Sequence, residues 1–134
     1  MNTRPICATE TVLENLVAAS LSRFSFHNDP TVMPGIPDRY VVGGNWIEFK
    51  NEITFDRTSK ALNRQRKWLS LLHNASDKAW VCALIGELLY LEQWNVWRER
   101  EKRRIGRLVQ MGGSPFSVTN QDAIICTVRY VFHV

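Results

Sequence analysis

The sequence predicts an α/β (α+β) fold, a central mixed β-sheet flanked by helices, in the order αββαβ followed by a C-terminal extension. Three observations carry it. Apolar residues recur at helical spacing over residues 9–23 and again over 59–73, two β-rich segments flank Gly43-Gly44-Asn45, and the short apolar run Ala79 to Ile85 suits a buried strand. At 134 residues the chain has the length of one domain, read here as a core over about residues 10–85 with an extension over 86–134. The longest apolar stretch, Ala79 to Gly86, is far short of the ~20 residues of a membrane-spanning helix. Glu10 and Glu14 interrupt the apolar core a signal peptide needs, so a cytoplasmic protein is expected. Cys7, Cys82 and Cys126 have neither disulfide-framework nor metal-knuckle spacing and are expected as buried, reduced thiols.

Each element follows from local signals. Thr9 or Thr11 caps a first helix, in which Leu13, Leu16, Val17, Ser20, Leu21 and Phe24 recur at three- and four-residue steps. Prolines and turn residues from Asn28 to Pro37 break regular structure. Arg39–Val42 and Trp46–Asn51 then form a β-hairpin around Gly43-Gly44-Asn45. A second helix runs from about Ser59 to His73, and a buried strand covers Ala79 to Ile85. Leu88 to Trp94 fits another strand or the start of a helix. Arg98 to Gln110 reads as a basic helix, Gly112-Gly113-Ser114-Pro115 as a turn, and Ile124 to Val134, rich in β-branched residues, as a final strand.

Charge is distributed unevenly. The net charge is +4, but residues 1–56 hold four Lys or Arg against seven acids, whereas residues 57–107 hold twelve against five. An acidic cluster can hold a divalent cation and a basic surface can hold phosphates, which together point toward a metal-dependent enzyme acting on nucleic acid. Solvated helix faces give basic runs too.

The hairpin concentrates the chemistry. Side chains alternate along a strand, so Trp46, Glu48 and Lys50 share one face while Ile47 and Phe49 share the other. Asp38 joins Glu48 and Lys50 only if even positions pair with even, for example Tyr40 opposite Glu48 and Asp38 near Lys50. That register needs a three-residue loop, which Gly43-Gly44-Asn45 can supply. A two-residue loop would send Asp38 to the other face. Without further chemistry, Asp38 is a turn residue, and Glu48 with Lys50 an exposed pair worth ~1 kcal/mol or less.

Gly35-Ile36-Pro37-Asp38, eight residues, then Ile47-Glu48-Phe49-Lys50 resembles the PD-(D/E)xK nuclease signature, closest to the VRR-NUC and Holliday-junction-resolvase-like branches. Leu13-Glu14-Asn15-Leu16-Val17 with Leu21 resembles the upstream glutamate helix of phage junction-resolving endonucleases. Gln65 with Trp68 and Leu72 resembles the VRR-NUC helix after the ExK strand. The resemblance spans roughly residues 10–85 and implies a restriction-endonuclease-like core and a metal-dependent DNA endonuclease that cuts branched or junction DNA. Mg²⁺ or Mn²⁺ keeps several waters and accepts hard oxygen ligands. Asp38 and Glu48 are the expected ligands, and the resemblance implies the Phe49 backbone carbonyl and a role for Glu14, directly, through water or at a second metal. Glu10 competes for that role, but it sits at the helix start, where an acid complements the dipole. Lys50 would orient the attacking water or stabilise charge on the phosphate. A catalytically silent DNA-binding module of the same fold is the alternative.

Gln65 falls on the inward stripe with Ala61, Trp68 and Leu72, where it either hydrogen-bonds an active-site carboxylate, water or phosphate or is a satisfied core amide. Arg57, Lys60, Arg64 and Lys67 cluster on another face and could track phosphates, as could Arg98, Arg103, Arg104 and Arg107. His27, His73 and His133 lack zinc spacing and read as ordinary surface or packing residues. The five tryptophans are mostly core, although Trp46 shares the catalytic face and could stack on a base. One site per chain would require a homodimer to cut both strands of a junction.

Overall fold

The computed structural model describes residues 5–21, 25–28, 37–51, 60–75, 78–103 and 115–133. The described elements run α1 (Glu10–Leu21), β1 (Ser25–His27), β2 (Arg39–Val41), β3 (Asn45–Asn51), α2 (Lys60–Asn74), β4 (Lys78–Ile85), β5 (Leu88–Gln93), α3 (Trp94–Arg103), β6 (Phe116–Ser117) and α4 (Gln121–Phe132). The fold is α+β, with a mixed six-stranded sheet in the order β1-β2-β3-β4-β5-β6. Among the described strands only β3 and β4 pair in parallel, joined through α2, while the other neighbours are antiparallel. No helix among the described residues is long and apolar enough to cross a membrane.

Alternation along the strands divides the core in two. Ile47 and Phe49 of β3, Cys82 and Leu84 of β4 and Leu89 and Leu91 of β5 pack with Leu13, Val17 and Leu21 of α1 and Ile124 and Val128 of α4. The opposite sheet face contributes Ala79, Val81, Ala83 and Tyr90, which pack with Leu69 of α2 and with Trp94 and Trp97 of α3. Thr9 caps α1, its hydroxyl accepting the Val12 N–H at 3.2 Å.

The hairpin has the expected parity but a different register. Arg39 pairs with Ile47, Tyr40 with Trp46 and Val41 with Asn45, so Tyr40 does not face Glu48. The loop is Val42-Gly43-Gly44, one residue earlier than expected, because Gly43 (φ +106°) and Gly44 (φ +81°) make the left-handed turn and leave Asn45 in β3. One step further along this register Asp38 meets Glu48 rather than Lys50.

The expected final strand over Ile124 to Val134 is instead α4. Asn120 caps it, its Oδ1 accepting the Ala123 N–H at 2.9 Å, and Ile124 and Val128, one helical step apart, are fully buried. Capping and a period of about four outweigh the weak strand preference of β-branched residues. The same period turns Cys126 outward, so this thiol is exposed, while Cys7 and Cys82 are buried and free. Leu88 to Gln93 resolves as a strand, and α3 begins at Trp94, four residues before the expected basic helix. Short strands β1 and β6 were not anticipated. Within 86–134, the described strands β5 and β6 widen the sheet and α4 packs into the α1 core. The predicted turn at Gly112-Gly113-Ser114 and most of the Asn28–Pro37 loop lie outside the described residues.

Candidate functional site

Strand β3 builds the site by presenting alternate residues to opposite environments. Ile47 and Phe49 are buried against α1 and α4, which turns Glu48 and Lys50 toward the α2 face, where both are also buried. Asp38, immediately before β2, reaches across to β3. Its Oδ2 accepts the Phe49 N–H at 2.9 Å, taking the place of a main-chain acceptor. This bond fixes the carboxylate beside Glu48, and the two side chains share a hydrogen bond.

Burial sets the protonation of this pair. Desolvation raises the Asp38 pKa to about 6, assisted by the negative charges of Glu14 and Glu10 and opposed by hydrogen bonds from Phe49 and Glu48. Glu48 is pushed well above the usual carboxylate range, first by burial and then by the charge of Asp38, with Lys50 pulling the other way. The shared hydrogen bond lowers Asp38 and raises Glu48, so Glu48 is the donor of the pair. Glu48 Oε2 is buried and has no hydrogen-bond partner among the described residues.

Gln65 of α2 receives Lys50, whose Nζ donates to Gln65 Oε1 at 3.4 Å. The amide oxygen thus finds its partner at the site itself. Asp38, Glu48, Lys50 and Gln65 come together, with Lys50 in place of the carboxylate, water or phosphate expected as the partner of Gln65.

Glu14 is placed differently. Its Oε2 lies 2.7 Å from His27 Nδ1, 3.2 Å from Arg39 Nε and 3.1 Å from Arg39 Nη2. Arg39 alternates with Asp38 and pairs with Ile47, so Glu14 meets the sheet on its α1 side. Its charge, more than that of Glu10, is still felt by Asp38. Sequence reasoning missed both Arg39, which also donates to Ser25 Oγ at 2.9 Å, and His27, treated as ordinary. Strand β1, which brings His27 beside α1, is only three residues long and left no periodic signal.

Among the described residues no group of three or more His, Cys, Asp or Glu is gathered as a metal cage. The donors on the α2 face are two carboxylates, one with an orphaned buried oxygen, together with the main chain at Phe49. That set fits a hard cation that keeps most of its waters, and not one that needs an all-protein shell.

Of the expected phosphate contacts, Lys67 and Arg98 are exposed on α2 and α3. Lys60, Arg64 and Arg103 are placed by backbone only, and Arg57, Arg104 and Arg107 lie outside the described residues. Arg100, within the same basic run, turns inward, its Nε donating to Glu92 Oε1 of β5 at 2.5 Å and its guanidinium lying 4.9 Å above the Tyr90 ring. No family model, curated protein or solved structure matches the chain.

Proposed function

We propose that this chain is a metal-dependent DNA endonuclease of the PD-(D/E)xK type, hydrolysing phosphodiester bonds in branched or junction DNA. The observation that carries the reading is the meeting of Asp38, Glu48, Lys50 and Gln65 on one sheet face, from three separate elements. Asp38 and Glu48 would hold Mg²⁺ or Mn²⁺ with the Phe49 carbonyl, and Glu14 would act through its charge or through water. The cation would polarise a phosphoryl oxygen and lower the pKa of a bound water, which is the chemistry a slow hydrolysis needs.

The chain's own residues do the rest. The Phe49 N–H holds Asp38 in one orientation, so its second oxygen is aimed without an entropy cost at the moment of binding. Glu48 must give up its proton to serve as a ligand, and its burial makes that carboxylate strongly attractive to a cation once formed. Lys50, steadied by Gln65, supplies a positive charge for the attacking water or the phosphate. A single site per chain cuts both strands of a junction only as a homodimer.

The test is cleavage of end-labelled single-stranded, duplex, flap and four-way-junction DNA with Mg²⁺ or Mn²⁺. Wild type is expected to cut, while Asp38→Ala and Lys50→Ala bind DNA but lose cleavage by about a hundredfold or more. A wild-type protein that binds and never cuts is instead a silent DNA-binding module of the same fold.

A further inference from the structure

Three large aromatic residues, Tyr40, Trp46 and Trp68, stand outside both apolar clusters of the described residues, and all three are half-buried. Tyr40 and Trp46 face each other across β2 and β3, edge to face, with ring centroids 4.9 Å apart. They occupy the cross-strand pair two residues from Asp38 and Glu48 on the same sheet face, a step of about 7 Å.

Helix α2 brings Trp68 to the same side. Leu69 points at the sheet, and successive helical residues turn by about 100°. Ser70 accepts the Trp94 indole N–H at 3.0 Å, so one flank of α2 faces α3. Gln65, on the other flank, meets Lys50 of β3. Trp68 lies about 100° from Leu69, on the same flank as Gln65. The exposed outer positions of α2 include Lys67, with Lys60 and Arg64 at neighbouring positions of the helix.

We propose that Tyr40, Trp46 and Trp68 form a stacking platform for unpaired nucleobases, making a single-stranded segment the part of the substrate that enters beside Asp38 and Glu48. The ligand class rests on the nucleic-acid reading above. Aromatic faces accept any base, and Lys67, exposed on α2, supplies charge complementarity for the backbone, the combination that suits single strands. A fully paired duplex keeps its bases inside the stack and gains nothing from such a platform.

Binding separates the platform from the chemistry. Labelled oligo-dT of about 15 nucleotides and a duplex of similar length are titrated by fluorescence anisotropy in EDTA, so that no cleavage intervenes. Trp46→Ala and Trp68→Ala are each expected to weaken oligo-dT binding about tenfold, with duplex binding changed by less than about twofold. Trp46→Phe, which keeps an aromatic face, should restore most of the affinity while removing much of the tryptophan quenching that oligo-dT causes in wild type. Unchanged oligo-dT affinity, or equal losses for single strand and duplex, overturns the proposal. If Trp46→Ala does not fold, the quenching difference between wild type and Trp46→Phe decides, and its absence is equally fatal. Trp46-dependent binding without cleavage would defeat the nuclease reading and leave the platform standing. Cleavage and single-strand binding indifferent to Trp46→Ala would do the reverse.

Discussion

Burial raises the pKa of both Asp38 and Glu48, and the charge of Asp38 raises Glu48 further while Lys50 opposes it. The consequence for stability has a definite sign. The folded pKa of Asp38, about 6, lies above its ordinary 3.8, so the folded state holds a proton that the unfolded chain has released. This contribution is fully present below pH 4 and is lost as pH rises to about 6, a change on the order of 3 kcal/mol. Urea melts in EDTA should show wild type losing more stability than Asp38→Asn between pH 4 and pH 7, and added Mn²⁺ at pH 7 should restore it only in wild type. Glu92 is the other buried acid; burial raises its pKa, and Arg100 opposes the shift. Arg100→Met should cost about 3–5 kcal/mol in a denaturant melt by leaving that carboxylate unpaired, and Arg100→Met combined with Glu92→Met should recover most of the loss.

At the scale of elements, the hairpin and α4 show what the sequence made legible. Alternation in β3 alone separated Ile47 and Phe49 from Glu48 and Lys50, and helical spacing located α1 and α2 to within about two residues. The exact cross-strand partner of Asp38 was not legible, because Gly43, Gly44 and Asn45 are each competent to form the turn. Over 124–134, strand preference and helical period pointed in different directions, and the deciding partners, Leu13 and Val17, lie far away in the chain. Asn120 was the local signal available. Asn120→Ala should lower stability by about 1 kcal/mol, and Ile124→Ala by about 2–5 kcal/mol, both read from chemical denaturation. The Glu14, Arg39 and His27 cluster was illegible for a related reason, since it joins residues 13 and 25 positions apart through a three-residue strand.

On the scale of the whole molecule, the sheet divides labour between its faces. One side is closed by α1 and α4, and the other carries the candidate site beside α2, with Lys67 and Arg98 exposed on α2 and α3. If DNA follows this side, Lys67→Ala should lower the slope of log affinity against log salt by about one unit, measured by anisotropy titrations at several salt concentrations. Because Glu48 sits between Ile47 and Phe49, sliding β3 by one position would drive charged groups into the apolar layer beneath α1 and α4 and put two large apolar residues where Glu48 and Lys50 meet Asp38 and Gln65. Misassembly of the chemical groups and loss of the native state are therefore the same event. A preparation should hold no reservoir of well-folded yet incompetent molecules, and the count of working sites should track the count of native chains through any partial denaturation.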